Sequence, residues 1–180
     1  MSQFHVSKSQ IRLMDSLLYW MEREPYSEIT ITQICQQAQL VRQTFYRNFA
    51  SKDAVLMFYM DYMFEQFAAQ HISQTNYAEL EPSVRVCFAF LNQHRDFLAM
   101  LEQNDLFSFM RQAIVKNLDY VAPVPWLTQK LGAPHLERYL RSCIASTFIC
   151  VLQEWAKSGF AEDLDTLVNL TCKLFQGLTL

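Results

Sequence analysis

The chain has 180 residues, of which 51% are hydrophobic and 18% are charged, and its formal net charge is −3. This length fits one domain of average size or a small domain joined to a larger one, and the apolar content excludes an intrinsically disordered chain. The charge is unevenly divided, because residues 1–52 carry a net +2 and residues 53–180 a net −5. A mildly basic first part suits nucleic acid, whereas an acidic second part suits a ligand or a partner.

Helical periodicity dominates the sequence. The chain contains only 3 Gly and 5 Pro, and no run of alternating β-branched residues indicates a strand. We therefore predict an all-α protein of about nine helices, with a three-helix domain at residues 1–52 and a larger helical domain at residues 53–180.

Residues 29–52 read as a short helix, a tight turn, a second short helix and the start of a third. An earlier helix begins after Ser7 or Ser9 and ends near Pro25. Thr30 and Gln33 form a predicted capping box at the first short helix. This region contains three cations and no acid, so its polar side suits an anionic polymer.

The segment AQLVRQTFYRNF, from Ala38 to Phe49 and followed by Ser51-Lys52, resembles the helix-turn-helix signature of the TetR family of bacterial regulators. Two positions depart from that signature. Gln39 stands where the family usually has the turn glycine, which adopts a positive φ at little cost. Val41 stands where a Ser or Thr usually caps the recognition helix, and the missing cap costs about 1 kcal/mol.

The resemblance implies a homodimer that binds a palindromic operator on double-stranded DNA, most often as a repressor, and leaves it when a small-molecule effector binds. Contacts to base edges and phosphates then fall to the polar residues of the helix-turn-helix. The predicted DNA-binding residues are Thr32, Arg42, Gln43, Thr44, Tyr46, Arg47, Asn48 and Lys52.

A long helix from residue 51 to about residue 70, capped by Ser51, links the two predicted domains. A polar connection at residues 71–81 follows. The pattern then predicts helices over residues 83–93, 95–103, 105–120, 135–157 and 163–177. A proline-containing loop at residues 121–126 and a boundary at residues 132–134 lie between the third and fourth of these.

Residues 143–152, CIASTFICVL, carry no charge on any side. A helix that is apolar all round is buried on more than one side, and a second copy of the chain is the simplest cover for the outer side. The family also dimerises through its last two helices. The predicted interface consists of Tyr139, Cys143, Thr147, Val151, Leu167, Leu170 and Leu174.

Aromatic and methionine side chains are frequent in the second domain, and such residues line small-molecule sites as well as cores. The predicted effector pocket consists of Tyr62, Phe88, Met100, Phe107, Met110 and Phe148. The sequence from residue 90 to residue 105 resembles, more loosely, a subgroup typical of low-GC Gram-positive bacteria that includes regulators of dihydroxyacetone kinase genes.

The five cysteines form no CxxC pair and lie in apolar helical stretches, so we expect reduced, buried thiols; a redox sensor is the alternative. The four histidines have no metal-ligand spacing, and no catalytic motif is present, so we expect neither cofactor, metal nor enzyme activity. The sequence has no membrane-spanning run and no leader, so we expect a cytoplasmic protein that does not bind a membrane.

A second reading remains open. A dimer of the same fold could act as a coactivator or adaptor that docks on a protein partner, and loss of sequence-specific DNA binding through Gln39 and Val41 would favour it.

Overall fold

The computed structural model describes residues 6–71, 79–121 and 134–177, and within these ranges it contains nine α helices, one short 3-10 helix and no strand. The all-α prediction is therefore confirmed. The chain divides into two compact units, residues 1–65 and residues 66–180. In the described ranges no helix is both long and apolar enough to cross a membrane.

The first unit consists of α1 (Lys8–Met21), α2 (Ile31–Gln37), α3 (Arg42–Asn48) and the first part of α4 (Lys52–His71). Both α1 and α2 begin with a capping box; the one at α2 was predicted, whereas for α1 the sequence analysis predicted only a start after Ser7 or Ser9. Ser7 and Gln10 cap α1, while Thr30 and Gln33 cap α2, each pair exchanging side-chain and backbone hydrogen bonds. Ser51 accepts a bond from the backbone N–H of Ala54 and caps α4.

All four helices contribute apolar residues to the core of the first unit. Its fully or almost fully buried members include Leu13 and Leu17 of α1, Ile34 of α2, Phe45 of α3 and Leu56 of α4. Because α4 inserts Leu56 and its neighbours into this core, the first unit extends to Glu65 and the units divide within α4, later than the predicted division at residue 52.

A latch of polar contacts joins the segment before α2 to the first turn of α4. The Tyr26 hydroxyl donates to Asp53 Oδ1 at 2.6 Å, and the Lys52 ammonium donates to the carbonyl oxygens of Tyr26, Ser27 and Ile29. An ammonium has three N–H donors, so Lys52 has one acceptor for each. Burial, then the hydrogen bond and negative charge of Asp53, raise the pKa of Tyr26.

In its described residues, the second unit contains the end of α4 followed by five α helices and the 3-10 helix. They are α5 (Leu80–Asn92), α6 (Arg95–Gln103), α7 (Phe107–Val121), the 3-10 helix Pro134–Leu136, α8 (Glu137–Lys157) and α9 (Leu164–Gly177). Helix α9 packs on α5 and α8, while α8 also packs on α6 and α7.

Some helix boundaries differ from those predicted. Helix α5 begins at Leu80, before the expected start at residue 83, because Pro82 is accepted within its first turn. The start predicted at residue 135 is occupied by the 3-10 helix, and α8 follows it. Val121 belongs to α7, whereas the rest of the predicted loop at 121–126, most of the connection at 71–81 and residues 132–133 lie outside the described residues.

The cysteines are all free thiols, but they are not all buried. Cys35, Cys87 and Cys172 are buried as expected, and burial raises the pKa of Cys87 to about 12. The prediction of burial was wrong for Cys143 and Cys150, which are exposed in the chain. These two residues lie on the outer face of α8, away from the buried face that carries Leu152 and Trp155.

The environment of His94 leads to a prediction about stability and pH. His94 lies at the start of α6 with its ring 4.7 Å from that of Phe90, centroid to centroid, and desolvation lowers its pKa. The unfolded chain therefore takes up a proton at His94 at a higher pH than the folded chain does. The free energy of unfolding should consequently fall as the pH decreases through about 6.5, and this loss is complete below the folded pKa.

Urea unfolding at a fixed protein concentration, compared at about pH 7.5 and about pH 5.5, measures this loss. The wild type should lose more stability over this range than the His94→Gln variant. His135→Gln, which changes an exposed histidine, should behave as the wild type does. If the wild type and His94→Gln lose the same free energy of unfolding over this pH range, His94 is not the source of the loss.

The latch yields a second prediction. Tyr26→Phe keeps the ring but removes the hydroxyl bonded to Asp53, so the local free energy of opening should fall by about 1 kcal/mol. Hydrogen-exchange mass spectrometry of the peptides covering residues 26–35 and the first turn of α4 measures this change.

Tyr19→Phe is the matched control, because Tyr19 is partly exposed on α1 and its hydroxyl has no partner in the described part of the chain. Unchanged exchange in Tyr26→Phe, relative to this control, would show that the Tyr26 hydroxyl does not stabilise the segment.

Candidate nucleic-acid interface

Helix α3 has one buried and one exposed side. Phe45 is fully buried and Phe49 nearly so, and their ring centroids are 6.3 Å apart on the inner side. Arg42, Tyr46 and Arg47 are exposed on the outer side, together with Gln43. Residues four apart lie on one face of a helix, so Arg42 lies beside Tyr46, and Gln43 lies on the same face as Arg47.

The outer side of α3 offers hydrogen-bond donors without a neutralising acid. The Arg42 guanidinium donates to the Tyr46 hydroxyl at 3.3 Å. Gln43 and Arg47 have no side-chain hydrogen bond or ion pair within the described residues. Arg42 and Arg47 thus present two positive charges that no described carboxylate pairs with, as recognition of base edges and phosphates requires.

Thr44 and Asn48 lie on the flank of α3. Both are half-buried, and the Asn48 amide donates to the Thr44 carbonyl at 2.7 Å. Thr32 is exposed in the first turn of α2. These three predicted residues therefore lie at the edge of the exposed surface or on the neighbouring helix, not at the centre of the α3 face.

The turn between α2 and α3 keeps its helix-turn-helix geometry without a glycine. Gln39 takes a φ of +53°. Its N–H donates to the Gln36 carbonyl at 3.0 Å, and the N–H of Leu40 donates to the Cys35 carbonyl at 2.9 Å. These two bonds form a Schellman motif, which usually has glycine at this position. Arg12 of α1 also donates to the Gln39 side-chain oxygen at 3.3 Å.

Val41 occupies the N-cap position of α3 and makes no side-chain capping bond. Its side chain is 66% exposed, the largest exposed fraction among the exposed large apolar residues of the chain's described part. An exposed apolar residue at the start of a recognition helix is suited to contact a thymine methyl group in the major groove.

Lys52 is placed differently from the arginines of α3. Its ammonium is turned toward the carbonyls of the latch and lies 4.6 Å from the centre of the Tyr26 ring. The sequence analysis did not predict this structural role of Lys52 or the bond between Tyr26 and Asp53. The latter two residues are 27 positions apart, and no local pattern links them. A phosphate contact by Lys52 stays a prediction.

A cleft on the first unit was also not predicted. It has a volume of about 310 Å³ and lies between α1 and the end of α2. Its walls are formed by Arg12, Asp15, Ser16, Tyr19, Gln37 and Ala38. No sequence signal marks it, because the lining residues come from two helices that are separated in the chain.

The residues predicted to line an effector pocket are distributed over both units. Tyr62 belongs to the first unit and the other five to the second. Phe88, Phe107 and Met110 are almost fully buried, and Met100 is buried too. The structure brings Phe88 and Phe148 into contact, with ring centroids 5.0 Å apart. The pocket itself stays a prediction.

Most residues of the predicted dimer interface lie at the surface of α8 and α9. Tyr139, Leu170 and Leu174 are 55%, 46% and 42% exposed, Cys143 is exposed and Thr147 is half-buried. Val151 and Leu167 differ, because both are buried within the chain. The structure thus places these two residues in the core of the unit and not on its exposed face.

Among the described residues, no group of three or more His, Cys, Asp or Glu side chains is arranged to hold a metal ion. The Asp163 carboxylate, at the start of α9, instead accepts a hydrogen bond from the backbone N–H of Thr166 at 2.8 Å. This bond lowers the pKa of Asp163 and makes it a helix cap, as expected of an acid in this position.

Comparison of the sequence with protein-family models gives no match, and comparison with curated proteins gives none. Solved structures do match. The dihydroxyacetone kinase operon activator DhaS aligns with a TM-score of 0.60 and 17% identity, over 96% of each chain. The fatty acid degradation regulator FadR from Bacillus halodurans aligns with a TM-score of 0.66 and 20% identity, over 94% of this chain and 95% of that one. The chain therefore shares the fold of both structures.

Proposed function

We propose that the protein is a transcription regulator that binds a palindromic DNA operator as a homodimer and is released from it by a small molecule. The observation that carries this proposal is the exposed face of α3, where Arg42, Gln43, Tyr46 and Arg47 stand together without an acid. This face lies on a helix that begins directly after a helix-turn-helix turn. Regulators of the same fold support the assignment.

Helix α3 is the recognition helix in this proposal. Its exposed side chains enter the major groove, where Arg42 or Arg47 reads a guanine edge and Tyr46 contacts a phosphate. Gln43 suits an adenine edge. Thr32, Thr44 and Asn48 fix the register from the flank through phosphate contacts.

The homodimer forms through α8 and α9. Leu170 and Leu174 are one helical turn apart and exposed, while Tyr139, Cys143 and Cys150 form an exposed stripe on α8. A two-fold arrangement covers both stripes with their own copies. A two-fold symmetric dimer binds a two-fold symmetric site, so the proposed operator is palindromic, with half-sites about 34 Å apart.

The effector acts by a population shift. The ligand binds in the second unit and prefers the conformation in which the recognition helices are misplaced for DNA. It thereby lowers the occupancy of the operator. The size of this effect is limited by the difference between its affinities for the two conformations. The aromatic and methionine residues of the second unit, Phe88, Met100, Phe107, Met110 and Phe148, are the proposed lining. In the absence of effector, the protein represses.

The first test is the sequencing of genomic fragments that the purified protein retains in moderate salt. An inverted repeat should be enriched by the wild type and lost by Arg42→Ala and Tyr46→Ala. Arg23→Ala is the matched control, since it removes an exposed arginine of the first unit that pairs with Glu22. If a folded dimer enriches no motif, the coactivator or adaptor reading replaces the DNA-binding one.

On the recovered operator, Arg42→Ala should weaken binding by about 1–3 kcal/mol and relax specificity at one base pair. The reason is the loss of a bidentate contact to one guanine. Fluorescence anisotropy with operators mutated one base pair at a time measures both effects. Equal weakening on every mutated operator would instead assign Arg42 to a phosphate.

The interface prediction concerns Leu170 and Leu174. Replacing either with Glu places a charge in the apolar dimer interface, so the protein should become monomeric at micromolar concentration. Light scattering after size exclusion measures the mass. Ile11→Glu, which changes a similarly exposed apolar residue of α1, should leave the dimer intact. A wild-type monomer, or dimers in both leucine variants, would contradict this interface.

A further inference from the structure

Arg111, on α7, differs from the other arginines in the described part of the second unit. Its guanidinium meets neither a carboxylate nor an aromatic ring there. The other four pair with carboxylates or lie against aromatic rings, and these are Arg85, Arg95, Arg138 and Arg141. Arg111 is exposed, so its positive charge is accessible from solvent.

Two serine hydroxyls hold the Arg111 side chain. Its Nε–H donates to Ser146 Oγ at 3.2 Å, and its Nη2 donates to Ser142 Oγ at 3.0 Å. Ser142 and Ser146 are four residues apart on α8, so their side chains lie on one face of that helix. The guanidinium of α7 is thus fixed in one orientation beside a pair of hydroxyls on α8.

The hydroxyl protons of these two serines are not used. Two other serines within helices, Ser16 and Ser83, donate to the carbonyl four residues earlier. Ser142 and Ser146 form no such bond within the described residues. Since a guanidinium has five N–H donors and Arg111 uses two, three N–H and two O–H groups remain for a ligand.

The helix segments that carry this cluster contain more cations than acids. Helix α7 and the first half of α8 contain four cations, Arg111, Lys116, Arg138 and Arg141, against two acids, Asp119 and Glu137. Residues 53–180 as a whole have a net charge of −5. The local excess of positive charge favours an anion at this point of an otherwise acidic unit.

We propose that Arg111, Ser142 and Ser146 form a binding site for one oxyanion group, a carboxylate or a phosphate, of a small molecule. The planar fork of the guanidinium matches two oxygens of such a group. Each hydroxyl accepts from Arg111 and donates to the same ligand. The site consists of residues of the second unit only, and its existence does not depend on the proposed binding of DNA.

The test uses nuclear magnetic resonance of the full chain without DNA. Sodium acetate and inorganic phosphate are titrated separately, with sodium chloride at matched ionic strength as the reference. The arginine Nε–H signal of Arg111 and the backbone amides of Ser142 and Ser146 should shift and saturate with acetate, phosphate or both. The Arg85 signal, whose guanidinium already has carboxylate partners, should not saturate with them.

Variants distinguish the contribution of the planar guanidinium of Arg111 from that of its positive charge. Arg111→Lys keeps the charge but loses the fork, and it should weaken binding by about tenfold, measured at the Ser142 and Ser146 amides. Arg111→Gln should abolish saturation. The double variant Ser142→Ala, Ser146→Ala should also bind the anion more weakly, and its affinity is measured from the Nε–H signal of Arg111.

Three results would overturn the proposal. If the chemical shifts change linearly with anion concentration, and by the same amount in sodium chloride as in acetate or phosphate, the effect is one of ionic strength only. An Arg111 signal that follows protein concentration, without added anion, would assign the site to a carboxylate of a second copy. Full affinity in Arg111→Lys and in the double serine variant would show that a diffuse positive charge binds the anion without this geometry.

Discussion

The burial of Phe45 is the interaction on which the first unit depends. Helix α3 has seven residues, and an isolated helix shorter than about 12–15 residues is marginal in water. It also lacks a side-chain cap. Complete burial of a phenylalanine contributes about 1.5–3 kcal/mol, so Phe45, with Phe49 beside it, holds α3 in place. The polar face that carries Arg42 and Arg47 exists because the opposite face is anchored.

Local physics made much of this unit predictable. The capping boxes at α1 and α2 need only residues three positions apart, such as Thr30 and Gln33, and both form. The strained turn at Gln39 and the uncapped start of α3 at Val41 likewise follow from the residue types at known positions in a motif. Because neighbours in the chain are also neighbours in a helix, a sequence reports these features directly.

Contacts between distant segments were not predictable. Nothing near Tyr26 indicates that its hydroxyl meets Asp53, or that Lys52 turns toward the same segment. The exposed cysteines of α8 show a related limit. Residues 143–152 of α8 carry no charge, so their sequence does not show which side of the helix faces the core. Cys143 and Cys150 could therefore be placed only from the packing of α6, α7 and α9 on α8. Arg111 and its serines belong to this class as well, since they join two helices.

The ends of α2, α6 and α8 show what the missing turn glycine changes. All three end in a Schellman motif, with Gln39, Asp105 and Gly159 in the left-handed conformation. A non-glycine residue there costs about 1–2 kcal/mol, yet the two backbone bonds form in each case. The path of the chain is therefore set by these bonds and by the apolar residue that follows, and the residue type changes only the stability of the turn. Gln39 is for this reason no argument against a working helix-turn-helix. Whether the protein reads a DNA sequence depends instead on the exposed side chains of α3.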